Sequence, residues 1–170
     1  MGFENIQYEA EQSLTKPKNE QIGWITGSQV CYCAEAFQGV PREHPDAPAL
    51  SVLATVLRNG FLHTAIREKG GAYGAGATND TSTNTFKFFS YRDPKCTETF
   101  AAFKDAIEWS KTSITDQHLE EAILGVVSSI DKPLSPVGEA KNDFNFNLEN
   151  ITTKERLEMR QQVINCSIED

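Results

Sequence analysis

An arginine and a tyrosine flank two consecutive glycines in the segment from Leu62 to Tyr73. Arg67 closes a predicted helix, and Tyr73 emerges on the strand that follows. Because Gly70 and Gly71 allow the backbone to turn sharply, we expect both side chains to converge on one point. A guanidinium and a phenol are hydrogen-bond donors, so the pair suits stabilisation of a peptide carbonyl or of the oxyanion formed when water attacks it. Neither group activates water at neutral pH, so the nucleophile must come from elsewhere.

The same glycines allow two other interpretations. The run from Gly70 to Gly76 resembles a glycine-rich phosphate cradle. Nucleotide-binding loops, however, need a strand before the glycines and a helix after them, whereas here a predicted helix precedes them and a strand follows. The simpler alternative is that the glycines end a helix and allow close strand packing.

The three histidines are the candidate metal ligands. The segment His118-Leu119-Glu120-Glu121-Ala122 differs from the inverted zinc motif His-x-x-Glu-His at its last position, where alanine cannot bind a metal. His44 and His63 have no fixed acidic third ligand beside them. We therefore predict no metal ligands in this chain. The alternative, a stand-alone metal-binding domain that uses these histidines, predicts stoichiometric zinc in the purified chain.

Four cysteines form neither a C-x-x-C motif nor a paired zinc-ribbon pattern: Cys31, Cys33, Cys96 and Cys166. We interpret them as reduced thiols. Cys31 and Cys33 are expected on opposite faces of a strand, where they could not easily share a metal ion or form a disulfide.

Hydrophobic periodicity and turn signals predict the elements that position these residues. Residues 28–37 alternate and read as a strand, and apolar residues at helical spacing across 50–66 predict an amphipathic helix or a broken pair. Residues 71–77 and 85–91 flank a cluster of polar turn residues, which predicts a hairpin. The sequence therefore indicates an α+β domain.

Further helices are predicted after the hairpin. One opens at Asp93-Pro94, and another opens at Thr115-Asp116 and is ended by Pro133 and Pro136. A last helical stretch follows Thr152. We expect residues 1–28 to be a polar lead-in or linker and residues 29–170 to form the domain.

Length and charge restrict the class of protein. The chain has 170 residues, 39% of them hydrophobic, which suits one domain with one sizeable core. Its net charge of −8 argues against nucleic-acid binding and against a polybasic membrane-surface module. No apolar run approaches the roughly 18 residues of a membrane span, and no signal peptide is recognisable. We expect a soluble, intracellular chain with neither nucleic acid nor membrane as a partner.

Three sequence blocks resemble a known family. They are Ile-Arg-Glu-Lys-Gly-Gly-Ala-Tyr-Gly (66–74), Phe-Ser-Tyr-Arg-Asp-Pro (89–94) and Ser-Ile-Asp-Lys-Pro-Leu (129–134). In this order they resemble the C-terminal domain of presequence-protease-type zinc metallopeptidases in the insulinase (pitrilysin) family. The resemblance runs from Gln29 to Asp170. It implies an α+β domain of the metallopeptidase type (LuxS/mitochondrial-processing-peptidase-like), with an antiparallel sheet packed with helices.

The resemblance also implies a role for the domain. In that family, one long polypeptide folds into four related α+β domains that form a closed chamber around an unfolded peptide, and the first domain carries zinc. The last domain would send Arg67 and Tyr73 across the chamber to hold the scissile region, with Gly70 and Gly71 in the same substrate-binding segment. Zinc-bound water would attack the peptide carbonyl with a glutamate as general base, both on the N-terminal domain. The implied partners are the N-terminal domains of the same polypeptide and peptide substrates.

Departures from the family pattern limit what this chain does alone. It lacks the His-x-x-Glu-His motif, so zinc is expected in the intact enzyme and not in this fragment, which should be inactive by itself. Residues 167–170 have the form of a helix N-cap without a helix body, so we expect the domain to be truncated at its C-terminus. The alternative function is a zinc-less interaction subunit that holds substrate for a separate catalytic chain. A bacterial source predicts a cytoplasmic location, and a eukaryotic one predicts the mitochondrial matrix or a plastid.

Overall fold

The computed structural model describes residues 20–170, so residues 1–19 of the predicted lead-in lie outside the described part. Within that part, three strands form one antiparallel sheet in the order β1-β3-β2. The strands are β1 (Cys31–Gln38), β2 (Gly74–Asp80) and β3 (Thr85–Asp93). The predicted leading strand and hairpin are therefore confirmed, with boundaries shifted by a few residues.

The hairpin of β2 and β3 is held by its turn. The Asp80 carboxylate accepts hydrogen bonds from the backbone N–H groups of Ser82 and Thr83, at 3.1 and 3.2 Å. Lys87 Nζ lies 2.6 Å from the same carboxylate, and Asn84 adopts the left-handed conformation at φ 51°. Aspartate and asparagine suit such positions because their side chains bond to nearby backbone groups and tolerate positive φ. The polar turn cluster thus fixes the register of the two strands.

Five α-helices are present within the described residues. They are α1 (Ala47–Leu57), α2 (Thr97–Ser113), α3 (Asp116–Ile130), α4 (Pro136–Leu148) and α5 (Thr153–Ile164). α1 runs directly into a π-helical segment, Arg58–Glu68, and Lys69 N–H donates to the Thr64 carbonyl at 3.0 Å. That five-residue spacing is the π-helical bonding pattern. The predicted amphipathic helix is therefore one continuous helix whose second half is wound more widely.

Two apolar clusters form the core on either side of α1. On the sheet side, Phe88 of β3 and Phe103 of α2 are almost fully buried and stack with ring centroids 5.4 Å apart. On the other side, Val52 and Val56 of α1 pack with Ala122 and Val163, which joins α1 to α3 and α5. Burying each large side chain stabilises the fold by about 1.5–3 kcal/mol.

The combined helix Ala47–Glu68 has the length and apolar composition of a membrane-crossing helix. Its residues Leu57, Leu62 and Ile66 are buried in the sheet-side core. Core helices of folded domains share these properties. The helix therefore contributes to the core, with 33% of its most apolar 18-residue stretch buried.

One helix was not predicted from the sequence. Pro136 was expected to end a helix, but α3 ends at Ile130 and Pro136 begins α4. Ser135 Oγ accepts from Gly138 N–H at 3.2 Å as the N-cap, and proline is favoured at the first helical position because its missing N–H needs no partner there. α4 buries none of its residues, so the periodicity that marks a core helix is weak.

The predicted starts of two other helices are confirmed. Thr115 and Thr152 each form a capping box with the third residue of α3 and α5, His118 and Glu155 respectively. The predicted start at Asp93 is wrong by several residues, because Asp93 ends β3 and α2 begins at Thr97. Asp93 is fully buried and accepts from Thr99 Oγ1 at 2.7 Å.

The expectation for Cys31 and Cys33 is also wrong. Side chains two residues apart share one face of a strand. Both thiols accordingly lie next to the Cys96 thiol at the start of α2. Burial raises the pKa of the Cys33 thiol to about 11 and also raises the pKa of Cys31. The four cysteines are free thiols.

Candidate functional site

A two-glycine turn joins the π-helical segment to β2. Gly71 N–H donates to the Arg67 carbonyl at 3.0 Å, and Ala72 N–H donates to the Ile66 carbonyl at 3.1 Å. These nested bonds satisfy carbonyls at the end of the helix, as a C-terminal glycine cap does. Gly71 has φ 86°, a left-handed conformation that glycine adopts without steric cost. The turn therefore reverses the chain within a few residues.

Gly70 meets a second steric requirement of the same turn. A Cβ at Gly70 would overlap the Ile66 carbonyl oxygen, which is backbone and cannot move aside. Position 70 therefore requires glycine because the backbone approaches the Ile66 carbonyl closely, and position 71 favours glycine because its backbone is left-handed. Both glycines thus shape the turn between Arg67 and Tyr73.

The turn brings Arg67 and Tyr73 to one open depression of about 680 Å³. The side chains of His63, Glu68 and Arg92 line the same depression. Tyr73 is 63% exposed, so its phenol is available to a ligand. The depression thus contains two guanidiniums and a phenol, all hydrogen-bond donors, beside a single carboxylate.

His63 orients Arg67 from one helical turn away. Nη1 of Arg67 lies 3.2 Å from Nε2 of His63. A guanidinium only donates, so Nε2 must accept and the imidazole proton lies on Nδ1. Nδ1 faces Oε1 of Glu68 at 3.5 Å, and Oε2 of Glu68 accepts from Thr64 Oγ1 at 3.0 Å. The helix end therefore carries an ordered polar chain that leads to Arg67.

The sequence indicated His63 only as a candidate metal ligand, and its contact with Arg67 was not predicted. The signal was present, because residues four apart face the same side of a helix. His63 and Arg67 have that spacing. The wider winding of the π-helical segment does not separate them.

The strand side of the site is aromatic. The rings of Tyr73 and Tyr91 lie 5.6 Å apart with a tilt of 57°. Gly74 makes room for this arrangement, because a Cβ at Gly74 would overlap the Tyr91 ring. Aromatic pairs at this separation and tilt attract one another. The packing therefore restricts where the Tyr73 phenol can point.

The other histidines have local structural roles. His44 Nδ1 accepts from Asp46 N–H at 3.2 Å, and His118 Nδ1 accepts from Thr115 N–H at 3.3 Å. Residues 20–170 contain no group of three or more His, Cys, Asp or Glu side chains placed to hold a metal ion. The histidine, cysteine and carboxylate side chains of these residues therefore do not fit a zinc site.

Sequence comparison relates the chain to one domain of presequence proteases. The family model described as PreP C-terminal domain matches residues 28–170. The mitochondrial presequence protease of Eremothecium gossypii is 39% identical over 144 residues, or 84% of this chain, and that of Mus musculus is 39% identical over 134 residues, or 78%. The chain spans only 14% and 13% of the lengths of these two relatives.

Solved structures share the fold of this chain. A protease from Helicobacter pylori superposes with a TM-score of 0.68 at 18% identity, covering 85% of this chain and 37% of that one. The peptidase M16 inactive domain from Pseudomonas fluorescens has a TM-score of 0.64 at 20% identity, covering 81% of this chain and 35% of that one. These similarities confirm the predicted α+β metallopeptidase-type fold. With the family model matching across 28–170, the chain belongs to the family of presequence protease (PreP) C-terminal domains.

Proposed function

We propose that this chain is the zinc-free C-terminal domain of a metallopeptidase that degrades unfolded peptides, and that Arg67 and Tyr73 bind the substrate near its scissile bond. The observation that carries the proposal is the meeting of these two side chains in one open depression across a two-glycine turn. Family membership supports the reaction class, because the relatives are presequence proteases.

The donor chemistry of the depression suits a peptide carbonyl. Within the described residues, the Arg67 side chain makes one hydrogen bond, to His63. Most of its five N–H groups therefore remain free for a ligand. The exposed phenol of Tyr73 supplies a further donor. Donors fixed before the reaction stabilise developing negative charge without a reorganisation cost.

In this proposal the catalytic metal belongs to another domain. Residues 20–170 offer no cluster that fits zinc, and the chain corresponds to a small part of its relatives' length. Zinc would polarise the carbonyl and supply the nucleophile in the intact enzyme. This chain would contribute substrate binding, and would be inactive alone.

Exposed apolar side chains on α4 support packing against other domains of the same polypeptide. Val137, Phe144 and Leu148 are 80%, 62% and 66% exposed, and α4 buries none of its residues. Contiguous exposed apolar side chains commonly mark interaction surfaces. We propose that this face helps to close a chamber around the substrate. Since the fungal and mouse relatives are named as mitochondrial, we also propose a mitochondrial location for a eukaryotic source.

The test begins with the full-length product of the gene that encodes this chain. An upstream His-x-x-Glu-His motif in the same reading frame supports a single long peptidase. Its absence favours the alternative, a zinc-less partner subunit that holds substrate for a separate catalytic chain. Co-purification of the chain with a separate zinc-bearing peptidase then decides between the two.

Cleavage kinetics of the same full-length product test the site. Arg67→Ala and Tyr73→Phe are each expected to lower kcat about 10- to 1000-fold, the range for loss of an oxyanion donor. Arg58→Ala and Tyr32→Phe serve as matched controls, because both residues are exposed and neither lines the depression. Unchanged turnover in both site variants would refute the assignment.

A further inference from the structure

Arg92 occupies an irregular position in β3. Tyr91 pairs with Tyr32 and Asp93 pairs with Cys31, so Arg92 is an extra residue without a partner in β1. Its φ is 48°, in the left-handed region that is uncommon for a long side chain. Such a conformation costs free energy and persists only where the surroundings determine it, often at functional sites.

Contacts on both sides of Arg92 hold this conformation. The Arg92 carbonyl accepts from Tyr73 N–H at 3.3 Å, which ties it to the residue before β2. The next residue, Asp93, is fully buried, and its carboxylate accepts from Thr99 Oγ1 at 2.7 Å and from Lys95 N–H at 2.9 Å. These contacts anchor the chain on both sides of the bulge at Arg92.

The bulge changes which side chains reach Tyr73. In a regular strand, neighbouring side chains point to opposite faces, so Tyr91 and Arg92 would diverge. In this structure both lie against Tyr73: the Tyr91 ring is 5.6 Å away, and the Arg92 guanidinium carbon is 5.7 Å from the Tyr73 ring centroid. A guanidinium within about 6 Å of a ring centroid is attracted to the ring. Bulges often re-aim a side chain next to a functional site.

We propose that Arg92 is a positioning residue that holds the Tyr73 ring at the depression through its guanidinium. This inference rests on the proposed function, because it concerns the residue that Tyr73 needs to present its phenol to a peptide. The proposed contact explains why Arg92 keeps a strained backbone conformation. Within the Phe-Ser-Tyr-Arg-Asp-Pro block (89–94), buried Asp93 anchors the strand beside the bulge. The bulge then places the Arg92 guanidinium over the Tyr73 ring.

The kinetic test uses the full-length gene product with three variants. Arg92→Asn keeps a residue that tolerates the left-handed conformation but removes the cation, and is expected to lower kcat/KM about 2- to 5-fold. Arg92→Lys retains a cation over the ring and is expected to recover at least half of that loss. Asn84→Gly is the control, because Asn84 has a similar φ of 51° in the hairpin turn and does not line the depression.

A double-mutant cycle separates positioning from direct substrate contact. In a Tyr73→Ala background, Arg92→Asn is expected to cause no further loss of kcat/KM, since the ring it holds is gone. An undiminished loss in that background would overturn the positioning role. If Arg67→Ala and Tyr73→Phe lower turnover and Arg92→Asn does not, the proposed function stands and the role of Arg92 is refuted.

A spectroscopic readout keeps the inference testable even if the proposed function fails. In the 170-residue chain labelled with ¹³C-tyrosine, the ring resonances of Tyr73 are expected to move in Arg92→Asn and to move less in Arg92→Lys. Asn84→Gly, which changes a left-handed residue in the hairpin turn at the other end of β3, is the control and should leave the Tyr73 resonances in place. Tyr73 resonances that stay unchanged in Arg92→Asn would refute the contact.

Discussion

Nε2 of His63 accepts a hydrogen bond from Nη1 of Arg67 at 3.2 Å, one helical turn before the two-glycine turn. Arg67, the arginine that we propose binds substrate, is thereby oriented by its own helix before any ligand arrives. A side chain fixed in this way loses less conformational entropy on binding than a free arginine does. His63 is thus part of the site through Arg67.

Replacing His63 tests this orientation. His63→Ala removes the acceptor and is expected to lower kcat/KM for peptide cleavage about 2- to 10-fold, the range for one net hydrogen bond. His63→Gln retains an acceptor oxygen on a side chain of similar reach and is expected to recover part of the loss. Equal losses in both variants, measured in the full-length gene product, would contradict an orienting hydrogen bond.

Alanine at Gly71 tests the turn. Its φ of 86° is left-handed, so Gly71→Ala is expected to lower the free energy of unfolding by about 1–2 kcal/mol. Gly70→Ala is expected to cost more, because its Cβ would overlap the Ile66 carbonyl. The control is Gly125→Ala within α3, where the new Cβ would meet only Thr55 Cγ2 at 3.5 Å.

The free energy of unfolding of the control variant should change in the opposite direction. Alanine is favoured over glycine inside a helix, so Gly125→Ala is expected to raise the free energy of unfolding by about 0.5–1 kcal/mol. Chemical denaturation of the 170-residue chain measures all three changes. A Gly71→Ala variant as stable as the parent chain would contradict the described turn.

Acid should remove one link between α3 and α5. Arg160 donates to the Asp131 carboxylate through Nε at 2.8 Å and Nη2 at 2.6 Å, and this pairing lowers the pKa of Asp131 below its usual value. A carboxyl group with a lowered folded-state pKa contributes stability above its unfolded pKa of about 3.9, and that stability is lost as the pH falls through the folded-state pKa.

Asp131→Asn isolates this contribution. Its Tm is expected to lie below that of the parent chain at pH 7, and the difference should shrink as the pH falls below about 4. Lys111 and Glu108, an exposed ion pair within one helix, provide the comparison, since Glu108→Gln should change the Tm little at either pH. A Tm difference for Asp131→Asn that persists unchanged in acid would exclude the ion pair as its cause.

Thiol reactivity should follow burial in the cysteine cluster. Cys96 is exposed, whereas Cys33 is buried and its pKa is raised to about 11. The thiolate is the reactive form, so at pH 8 a disulfide reagent is expected to modify Cys96 first and Cys33 slowly. Cys96→Ser should remove the fast phase. A fast phase that survives this substitution would place the reactive thiol elsewhere.

The sequence predicted the features that depend on local signals. The hairpin, the caps at Thr115 and Thr152, and the turn at Gly70 and Gly71 each rest on residue types that favour one local conformation. The convergence of Arg67 and Tyr73 on one side of the turn follows from that turn. These parts of the fold therefore needed no knowledge of tertiary contacts.

Features set by tertiary packing were missed. The bulge at Arg92 lies beside Asp93, which is buried and bonded to Thr99, and nothing in the alternation of β3 signals it. The π-helical winding after Leu57 has the same apolar spacing as an α-helix, so periodicity cannot separate the two. α4 was not predicted because none of its side chains is buried within the described residues, so its sequence lacks the apolar periodicity of a core helix.

Site-specific crosslinking tests the central claim most directly. A photoreactive phenylalanine derivative placed at position 73 of the full-length gene product should crosslink an unfolded peptide near its scissile bond, and Arg67→Ala should reduce the yield. The same group in place of Phe37, an exposed residue toward the opposite end of β1, should give little crosslinking. Equal crosslinking from both positions, or attachment only far from the scissile bond, would contradict substrate binding by Arg67 and Tyr73.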